Sequence, residues 1–413
     1  MRVAVVGATG AVGSTILGVM RERSFPADEV VPFASERSAG RSIDYGDRDL
    51  RVRALSDEAI QGFDIALFSA DSTISEEWGR RFADAGAVVV DNSSFWRMHD
   101  DVPLVVAEVN PEALEAHRGI VANPNCTTMQ TVVALKPILD AAGIERVVAS
   151  TYQAVSGTGQ RAVEELHDQA LATLEAKDVP APSVYPHQIA FNVVPQVERF
   201  QDGDDYTTEE RKVMRETRKI LGRDDIGVSA TCARVPVYTG HSVSANVQTR
   251  DPLSPEECRE LLASAPGVTV VDDPANGLYP LALDVAGRDD VLVGRVRRDP
   301  SHERCLNLWI VGDNLRKGAA TNAVQLAELL RVRDLLAVPR PCGSTRLAGC
   351  APMSSRYFAA VALERDEALA LEAGQLSPGG DAELAVDLAG VRANRLHADR
   401  QALRDLGVGS AAL

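Results

Sequence analysis

The chain has 413 residues, 45% of them hydrophobic, which is typical of a soluble globular protein with room for two domains and an appendage. Its formal net charge of −16 argues against nucleic acid or an anionic membrane surface as the main partner, so an anionic substrate must meet a local basic cluster. No charged leader precedes the first apolar run and no run approaches membrane-spanning length, which predicts a cytoplasmic protein.

The stretch RVAVVGATGAVG combines a short apolar strand at residues 2–6 with a glycine-rich turn, and a helical pattern follows it. Glycines let the backbone approach a pyrophosphate closely, and a helix N-terminus supplies N–H groups and a favourable dipole. The spacing departs from the common G-x-G-x-x-G form, and a plain tight turn is the alternative. The position between strand and helix favours dinucleotide binding. The predicted contacts are Gly7, Thr9, Gly10, Ala11, Val12 and Gly13.

A second strand, EVVPFA, leads into a polar stretch that indicates which dinucleotide is bound. A site that prefers NAD usually places an acidic residue here for the ribose hydroxyls, whereas Ser35, Arg37 and Ser38 suit a 2′-phosphate. Glu36 lies in the same stretch and could take the acidic position. The sequence therefore predicts NADP as the cofactor; without the glycine turn, a solvated polar loop would be the default.

Two further strand-like runs, DIALFSA and AVVVDNSS, alternate with a helical pattern over residues 73–85, which predicts a parallel, doubly wound sheet. Such sheets bind ligands at the carboxyl ends of their strands, where Ser69 and Asn92 fall. The heptapeptide ANPNCTT places Cys126 at the next strand-to-helix turn, where backbone N–H groups and the helix dipole favour a thiolate. From the heptapeptide alone, a nucleophile and a small buried residue are equally good interpretations.

The pattern changes at about residue 128, where longer strand-like segments begin. Most of them are bounded by turn residues rather than separated by helices, which predicts a mainly antiparallel sheet. The segments are ERVVASTYQAV, VSATCARVPV, HSVSANVQTR, DVLVGRVRRD and CLNLWIVGD. Helical patterns at residues 158–176, 208–221 and 255–263 would cover one face of this sheet.

We therefore predict an α/β protein with a Rossmann-like, doubly wound NADP-binding domain over residues 1–127 and a mainly antiparallel α+β substrate domain over residues 128–317. A helix at residues 318–338 returns to the first domain, and residues 339–413 form a linker and a loosely held C-terminal extension. The six cysteines are scattered and contain no C-x-x-C pair, so neither a zinc site nor a disulfide framework is expected, and no metal is predicted.

Six stretches, in chain order, resemble the aspartate-β-semialdehyde dehydrogenase family: GATGAVG, DNSSFWR, NPNCTT, YQAVSGTG, RVPVYTGHS and GDNLRKGAA. They cover residues 1 to about 338, and the extension is not part of the pattern. The resemblance implies NADP-dependent, reversible reductive dephosphorylation of L-aspartyl 4-phosphate to L-aspartate 4-semialdehyde, in the lysine, threonine and methionine branch of amino-acid biosynthesis. It also implies a dimerisation domain and a homodimer or homotetramer, with small-molecule substrates and phosphate as partners.

The resemblance also implies roles for individual residues. Cys126 matches the nucleophile, His241 the acid/base histidine, and Gln153 the glutamine that orients the substrate near the thiol. The expected substrate contacts are Arg97, Asn125 and Lys212 for phosphate, Arg234 for the α-carboxylate and Glu209 for the amino group. The expected cofactor contacts outside the first strands are Ser156, Gly157 and Asn314. The structural alternatives are a polar strand end for Gln153 and a surface i,i+3 ion pair for Glu209 and Lys212.

The predicted chemistry begins with a thiol that must be activated. A free thiol with a pKa near 8.5 is only a few per cent ionised at neutral pH, and a helix terminus contributes about 0.3–1 kcal/mol. A histidine within hydrogen-bond reach could supply the rest and later shuttle the proton. The expected route is that the Cys126 thiolate displaces phosphate, and the resulting thioester accepts a hydride from NADPH while His241 manages the proton.

Three other functions compete with this interpretation. N-acetyl-γ-glutamyl-phosphate reductases share the architecture and the thioacyl route, but their cysteine is usually preceded by glycine, whereas Asn125 stands here. A dinucleotide-binding paralogue without catalysis should tolerate loss of Cys126, Gln153 or His241, and all three are present. An enzyme acting on a modified aspartate is compatible with the extension, although nothing in the sequence demands it.

Overall fold

The computed structural model describes residues 1–336, so the predicted linker and extension at residues 339–413 lie outside the described residues. Within residues 1–336, no helix is long and apolar enough to cross a membrane. The four cysteines of this part are free thiols. The same part of the chain contains no group of three or more His, Cys, Asp or Glu side chains that could hold a metal ion.

The described residues form thirteen strands and eight helices. The strands are β1 (Arg2–Val6), β2 (Glu29–Phe33), β3 (Ser42–Asp44), β4 (Asp49–Arg51), β5 (Ile65–Phe68), β6 (Val88–Asp91), β7 (Ile120–Ala122), β8 (Ile144–Gln153), β9 (Gly227–Arg234), β10 (His241–Thr249), β11 (Val268–Val270), β12 (Val291–Arg298) and β13 (Cys305–Gly312). The helices are α1 (Ala11–Glu22), α2 (Ser72–Asp84), α3 (Cys126–Ala142), α4 (Gln160–Leu174), α5 (Thr208–Leu221), α6 (Pro255–Ala263), α7 (Ala282–Val285) and α8 (Thr321–Val332).

The first sheet has five strands in the order β2-β1-β5-β6-β7, and every neighbouring pair is parallel. Its central strands are buried on both faces, because helices cover the two sides of a doubly wound sheet. The predicted parallel sheet is therefore confirmed. A hairpin of β3 and β4 was not predicted, since its three-residue strands carry mostly exposed polar side chains.

The second sheet has six strands in the order β11-β12-β13-β10-β8-β9. The three central pairings are antiparallel, as predicted, but β8 pairs with β9 and β11 pairs with β12 in parallel, so the sheet is mixed. The parallel pair β8 and β9 is possible because α4 and α5 lie between them in the chain and form the crossover that a parallel pair needs. The short strand β11 was missed.

Two helices pack against the sheets. In α3, Met129, Val132 and Leu135 belong to a core cluster that also contains apolar residues of the second sheet. In α8, Val324 and Leu330 pack into a separate cluster with the apolar residues of β1 and β5. The helix α8 thus packs against the first sheet.

We expect Phe82→Ala to lower the free energy of unfolding by about 3–5 kcal/mol. Phe82 is fully buried, and its ring contacts those of Phe33, Phe63 and Phe68 at centroid distances of 6.0, 6.2 and 5.3 Å. Truncation would therefore leave a cavity among three rings. Urea unfolding followed by tryptophan fluorescence measures the change.

Glu76→Ala is the matched control for Phe82→Ala, because Glu76 is exposed on the same helix. Its effect on the free energy of unfolding should stay within about 0.5 kcal/mol. Equal effects of the two substitutions would contradict the packing described for α2.

Candidate active site

One cavity of about 570 Å³ collects most of the residues that the sequence predicted for catalysis and substrate binding. Its walls come from the start of α3, the ends of β8 and β9, the start of β10, the first turn of α5 and the loops before it. The predicted residues among its lining are Asn125, Cys126, Gln153, Gly157, Glu209, Arg234 and His241. Arg97 and Lys212 are not among the residues that line the cavity.

Cys126 is the first residue of α3, and Asn125 caps this helix. The Asn125 side-chain oxygen accepts hydrogen bonds from the N–H groups of Thr127 (2.9 Å) and Thr128 (3.1 Å). Behind the cysteine lies Gly318, in a π-helical turn at Arg316–Ala320. A β-carbon on Gly318 would lie 2.8 Å from the Cys126 β-carbon, so only glycine fits here. The π turn itself was not predicted, although it lies in the stretch GDNLRKGAA.

The Cys126 thiol is held in its protonated form. Burial, and then the charge of Glu209, raise its pKa to about 11, although Arg97 and Arg234 oppose the shift. The expectation that the helix N-terminus would favour a thiolate is therefore wrong for the ligand-free site, because burial and a carboxylate outweigh the dipole.

His241 begins β10 and is fully buried. The backbone N–H of Ala154 donates to Nδ1 at 3.0 Å, so a neutral ring carries its proton on Nε2. Burial, followed by the charge of Arg234, holds the pKa of His241 well below its usual value, and the ring is neutral at physiological pH. Nε2 has no hydrogen-bond partner within the described residues and lies beside Gly157. His241 is thus arranged to donate a hydrogen bond, whereas the base predicted from the sequence would accept one.

Gln153 and Asn125 both bind Glu209, which is 3% exposed. Nε2 of Gln153 donates to Glu209 at 2.9 Å and to the Thr127 hydroxyl at 2.8 Å. Nδ2 of Asn125 donates to both Glu209 oxygens, at 2.9 and 3.0 Å. Glu209 is thus buried and accepts hydrogen bonds from two amides. The alternative prediction, a surface ion pair with Lys212, therefore does not describe it.

Arg234 ends β9 and is 5% exposed. Its Nη1 donates to the carbonyl oxygen of Ala154 at 2.6 Å, and its Nε is one of the buried nitrogen atoms without a partner in the described part of the chain. The guanidinium carbon lies 5.8 Å from the ring centroid of Tyr185. Tyr185 lines the same cavity, and sequence reasoning missed it because no motif marks it.

Arg97 is buried behind the start of α3. Its Nη1 donates to Glu216 (3.1 Å), and its other groups donate to the backbone oxygens of Asn92 (2.7 Å) and Asn123 (3.0 Å). Glu216 also accepts the backbone N–H of Asn125 at 2.7 Å. Glu216 was missed, although its position seven residues after Glu209 in a helix places both on one face.

The glycine turn has the close contacts expected of a phosphate cradle. A β-carbon on Gly13 would lie 2.1 Å from the backbone oxygen of Gly7, so the turn closes only with glycine there. Gly10 precedes α1 without a capping side chain, and Thr9 and Gly10 are exposed, with Ala11 and Val12 partly exposed. These residues therefore fit a dinucleotide pyrophosphate.

The backbone N–H groups of Gly7 and Ala8 donate to the oxygen of Phe33, which joins the glycine turn to the end of β2. A short 3₁₀ turn, Glu36–Ser38, follows this strand. Ser35 and Arg37 are exposed, whereas Ser38 is 7% exposed. Glu36 is also exposed. The acidic side chain that could bind the ribose hydroxyls and the side chains that could bind a 2′-phosphate, Ser35 and Arg37, therefore all lie at the surface.

The remaining predicted cofactor residues lie at strand ends and in the loops near His241. The Ser69 hydroxyl donates to the backbone oxygen of Val6 at 3.1 Å, and the Asn92 amide donates to that of Phe68 at 2.6 Å. Nδ2 of Asn314 donates to the Ser156 hydroxyl at 2.9 Å. Its Oδ1 accepts the Gly240 N–H at 3.0 Å, directly before His241.

Two family models match the chain. The semialdehyde dehydrogenase NAD binding domain matches residues 2–117, and the semialdehyde dehydrogenase dimerisation domain matches residues 135–317. The chain therefore has a domain for a nicotinamide dinucleotide and a domain of a type that forms oligomers.

Individual relatives agree with these models. The chain is 55% identical over 338 residues to an aspartate-semialdehyde dehydrogenase of Aquifex aeolicus (strain VF5), a match that covers 81% of this chain and 99% of the relative. It is 49% identical to one of Legionella pneumophila, with 83% and 99% covered. A solved aspartate semialdehyde dehydrogenase II from Vibrio cholerae, complexed with ASA, is 46% identical with a TM-score of 0.77, and the match covers 81% of this chain and 98% of that one.

The family resemblance seen in the sequence is confirmed, since relatives of this identity are matched over nearly their whole length. The chain belongs to the aspartate-semialdehyde dehydrogenase family.

Proposed function

We propose that this enzyme catalyses the NADP-dependent, reversible reductive dephosphorylation of L-aspartyl 4-phosphate to L-aspartate 4-semialdehyde, through a thioester on Cys126. The observation that carries the proposal is the cavity in which a nucleophile, a hydrogen-bond donor and an anion-binding arginine meet: Cys126, His241 and Arg234. The Vibrio cholerae relative in complex with ASA supports the substrate class.

The substrate is held by its two charged α-groups. Arg234 binds the α-carboxylate, because a buried guanidinium with an unpaired Nε offers the planar fork that a carboxylate prefers. Glu209 binds the ammonium group, and the amides of Gln153 and Asn125 fix the orientation of its carboxylate. These two contacts point the β-acyl group towards Cys126.

Substrate binding also activates the thiol. Burial and then the charge of Glu209 raise the pKa of Cys126 in the free site, and a substrate ammonium group beside Glu209 neutralises the second of these effects. The sulfur then attacks the acyl carbon, the carbon–oxygen bond to phosphate breaks, and the thiol proton leaves with hydrogen phosphate. The product of this step is a thioester on Cys126.

His241 stabilises the charge that develops on the acyl oxygen. Its Nε2–H has no partner in the free site and is held in place by the bond from Ala154 to Nδ1. When bound, NADPH supplies the hydride that reduces the thioester. His241 then holds the proton at Nε2 near the oxygen while the carbon–sulfur bond breaks and the aldehyde forms.

The phosphate group is expected on the side of the cavity where Asn125 and α5 meet. Lys212 is one turn from Glu209 on α5, and its Nζ lies 3.7 Å from Glu209 Oε2. Arg97 uses three of its five N–H donors on protein groups, which leaves two for a ligand. Asn125, Lys212 and Arg97 therefore remain the proposed phosphate contacts.

We propose NADP over NAD because Ser35 and Arg37 are exposed beside the glycine turn, where a 2′-phosphate would lie. Ser38, being largely buried, would contribute mainly by shaping the turn. Ser69, Asn92, Ser156, Gly157 and Asn314 would hold the remainder of the cofactor.

We also propose the division into residues 1–127 for the cofactor, 128–317 for substrate and dimerisation, and 318–338 for the returning helix. A homodimer or homotetramer is supported by large apolar side chains exposed on the second part: Phe191 (64%), Val193 (55%) and Leu283 (82%).

Two competing functions have less support. None of the relatives reported above is named as an N-acetyl-γ-glutamyl-phosphate reductase, and a paralogue without catalysis would not need Cys126, Gln153 and His241 in one cavity.

Cys126→Ser should reduce turnover by at least about a thousandfold, because a serine hydroxyl is a far weaker nucleophile than a thiol in this site. The assay is phosphate-dependent oxidation of aspartate semialdehyde with NADP. Cys305→Ser is the control, since Cys305 lies on β13 and does not line the cavity. Near-normal turnover by Cys126→Ser would refute the thioester route, and turnover without phosphate would refute the acyl-phosphate substrate.

Glu209→Gln should lower the pKa of Cys126 from about 11, since Glu209 is a negative charge that disfavours the thiolate. Alkylation of Cys126 by iodoacetamide in the free enzyme should then begin at lower pH and run faster at pH 8. Asp140→Asn, at the far end of α3, is the matched control and should leave the alkylation profile unchanged. An unshifted profile in Glu209→Gln would mean that Glu209 does not control the thiol.

Arg37→Ala should raise the Michaelis constant for NADP about tenfold or more and leave that for NAD unchanged, because only NADP carries the 2′-phosphate. Steady-state kinetics with both dinucleotides measure the effect. Arg41→Ala is the control, since Arg41 is exposed a few residues further along the chain. Equal changes for both dinucleotides would argue against a phosphate contact.

A further inference from the structure

Lys212 already has a partner in the free site. Its Nζ donates a hydrogen bond to Oε1 of Glu198, and Glu209 is the more distant carboxylate at 3.7 Å. Glu198 lines the cavity, whereas Lys212 does not. The Glu198 carboxylate therefore faces the cavity and binds Lys212, the cation that is proposed to bind phosphate.

The backbone of Glu198 is unusual. Its φ of +63° lies in the left-handed region, which is costly for a residue with a side chain. Both carboxylate oxygens are engaged, since Oε2 accepts from the Thr208 hydroxyl at 2.5 Å while Oε1 binds Lys212. The Glu198 carboxylate is thus bound by two residues of α5, Thr208 and Lys212.

Two cations near the expected phosphate position are paired with carboxylates in the free site. Arg97 pairs with Glu216, and Lys212 pairs with Glu198. Phosphate can therefore bind the Lys212 ammonium group directly only by taking the place of Glu198.

Among these carboxylates, Glu198 is the one able to move. Glu216 is 1% exposed and binds the backbone of Asn125, and Glu209 is 3% exposed and binds two amides. The Glu198 side chain is 40% exposed and lies on the loop before α5. Its movement into solvent leaves no buried carboxylate without a partner.

We propose that Glu198 is a displaceable counter-ion of Lys212: it holds the ammonium group in the empty site and is exchanged for phosphate when phosphate binds. Glu198 is then a positioning residue that acts through Lys212 and sets the affinity for phosphate, weakening it so that phosphate can leave. The inference rests on the proposed function, in which Lys212 contacts phosphate.

Glu198→Gln tests the exchange in the full-length enzyme, because the amide keeps the shape and loses the charge. The Michaelis constant for phosphate should fall about fivefold, the size expected when a partly exposed ion pair no longer competes. The Michaelis constant for the semialdehyde should change far less than that for phosphate. Phosphate protection of Cys126 from iodoacetamide gives a second readout without turnover, and half-protection should need correspondingly less inorganic phosphate.

Glu198→Gly is the second variant, since glycine accepts the positive φ and also removes the carboxylate. Glu198→Gly should therefore also lower the Michaelis constant for phosphate. Asp204→Asn is the matched control: Asp204 lies on the same loop and pairs with Arg211, the neighbour of Lys212, but does not line the cavity. It should leave the phosphate constant unchanged.

Lys212→Met separates this inference from the proposed function. Suppose that Lys212→Met raises the Michaelis constant for phosphate, while Glu198→Gln and Glu198→Gly leave this constant unchanged or raise it. The counter-ion exchange is then refuted, and the contact between Lys212 and phosphate stands. If Lys212→Met has no effect on the phosphate constant, the phosphate contact and the exchange are both refuted.

Discussion

The hydrogen bonds around Asn125 are the constraint on which the site depends. The Asn125 side-chain oxygen caps α3, its amide binds Glu209, and its backbone N–H binds Glu216. Both glutamates belong to α5, so one asparagine fixes the position of α5 against the start of the helix that carries Cys126. A shift of either helix would leave buried carboxylates without partners, which costs more than most packing defects.

This constraint also explains why the site contains so many carboxylates in a protein that must bind an anion. The acidic side chains orient Arg97, Lys212 and the amides, and burial together with the charge of Glu209 keeps the free thiol protonated. A protonated thiol reacts more slowly with oxidants and alkylating agents than a thiolate does. The formal net charge of −16 is thus no obstacle, because recognition is decided by cations within a few ångströms of the ligand.

The fold was largely predictable where each element has a strong local pattern. The apolar runs of β1, β5, β6 and β7, and the amphipathic patterns of α2, α4, α5 and α8, appear in the structure close to their predicted positions. The hairpin of β3 and β4 and the strand β11 were missed, because three-residue strands take their conformation from neighbours rather than from their own side chains. The parallel outer pairs of the second sheet were also missed, since pairing direction is a property of the crossover connections.

The sequence by itself determined the order of the longer elements and the glycine turn, because each has a strong local pattern. Its resemblance to the family marked the candidate residues Cys126, Gln153, Arg234 and His241. Only the tertiary structure decided what surrounds them. Residues far apart in the chain, such as Tyr185 and Glu198, meet the site through folding and carry no local signal, and the contacts of Glu216 and Gly318 with the start of α3 likewise depend on folding. The protonation of Cys126 and the tautomer of His241 follow from burial and from single hydrogen bonds, which depend on three-dimensional neighbours and not on the composition of the motif.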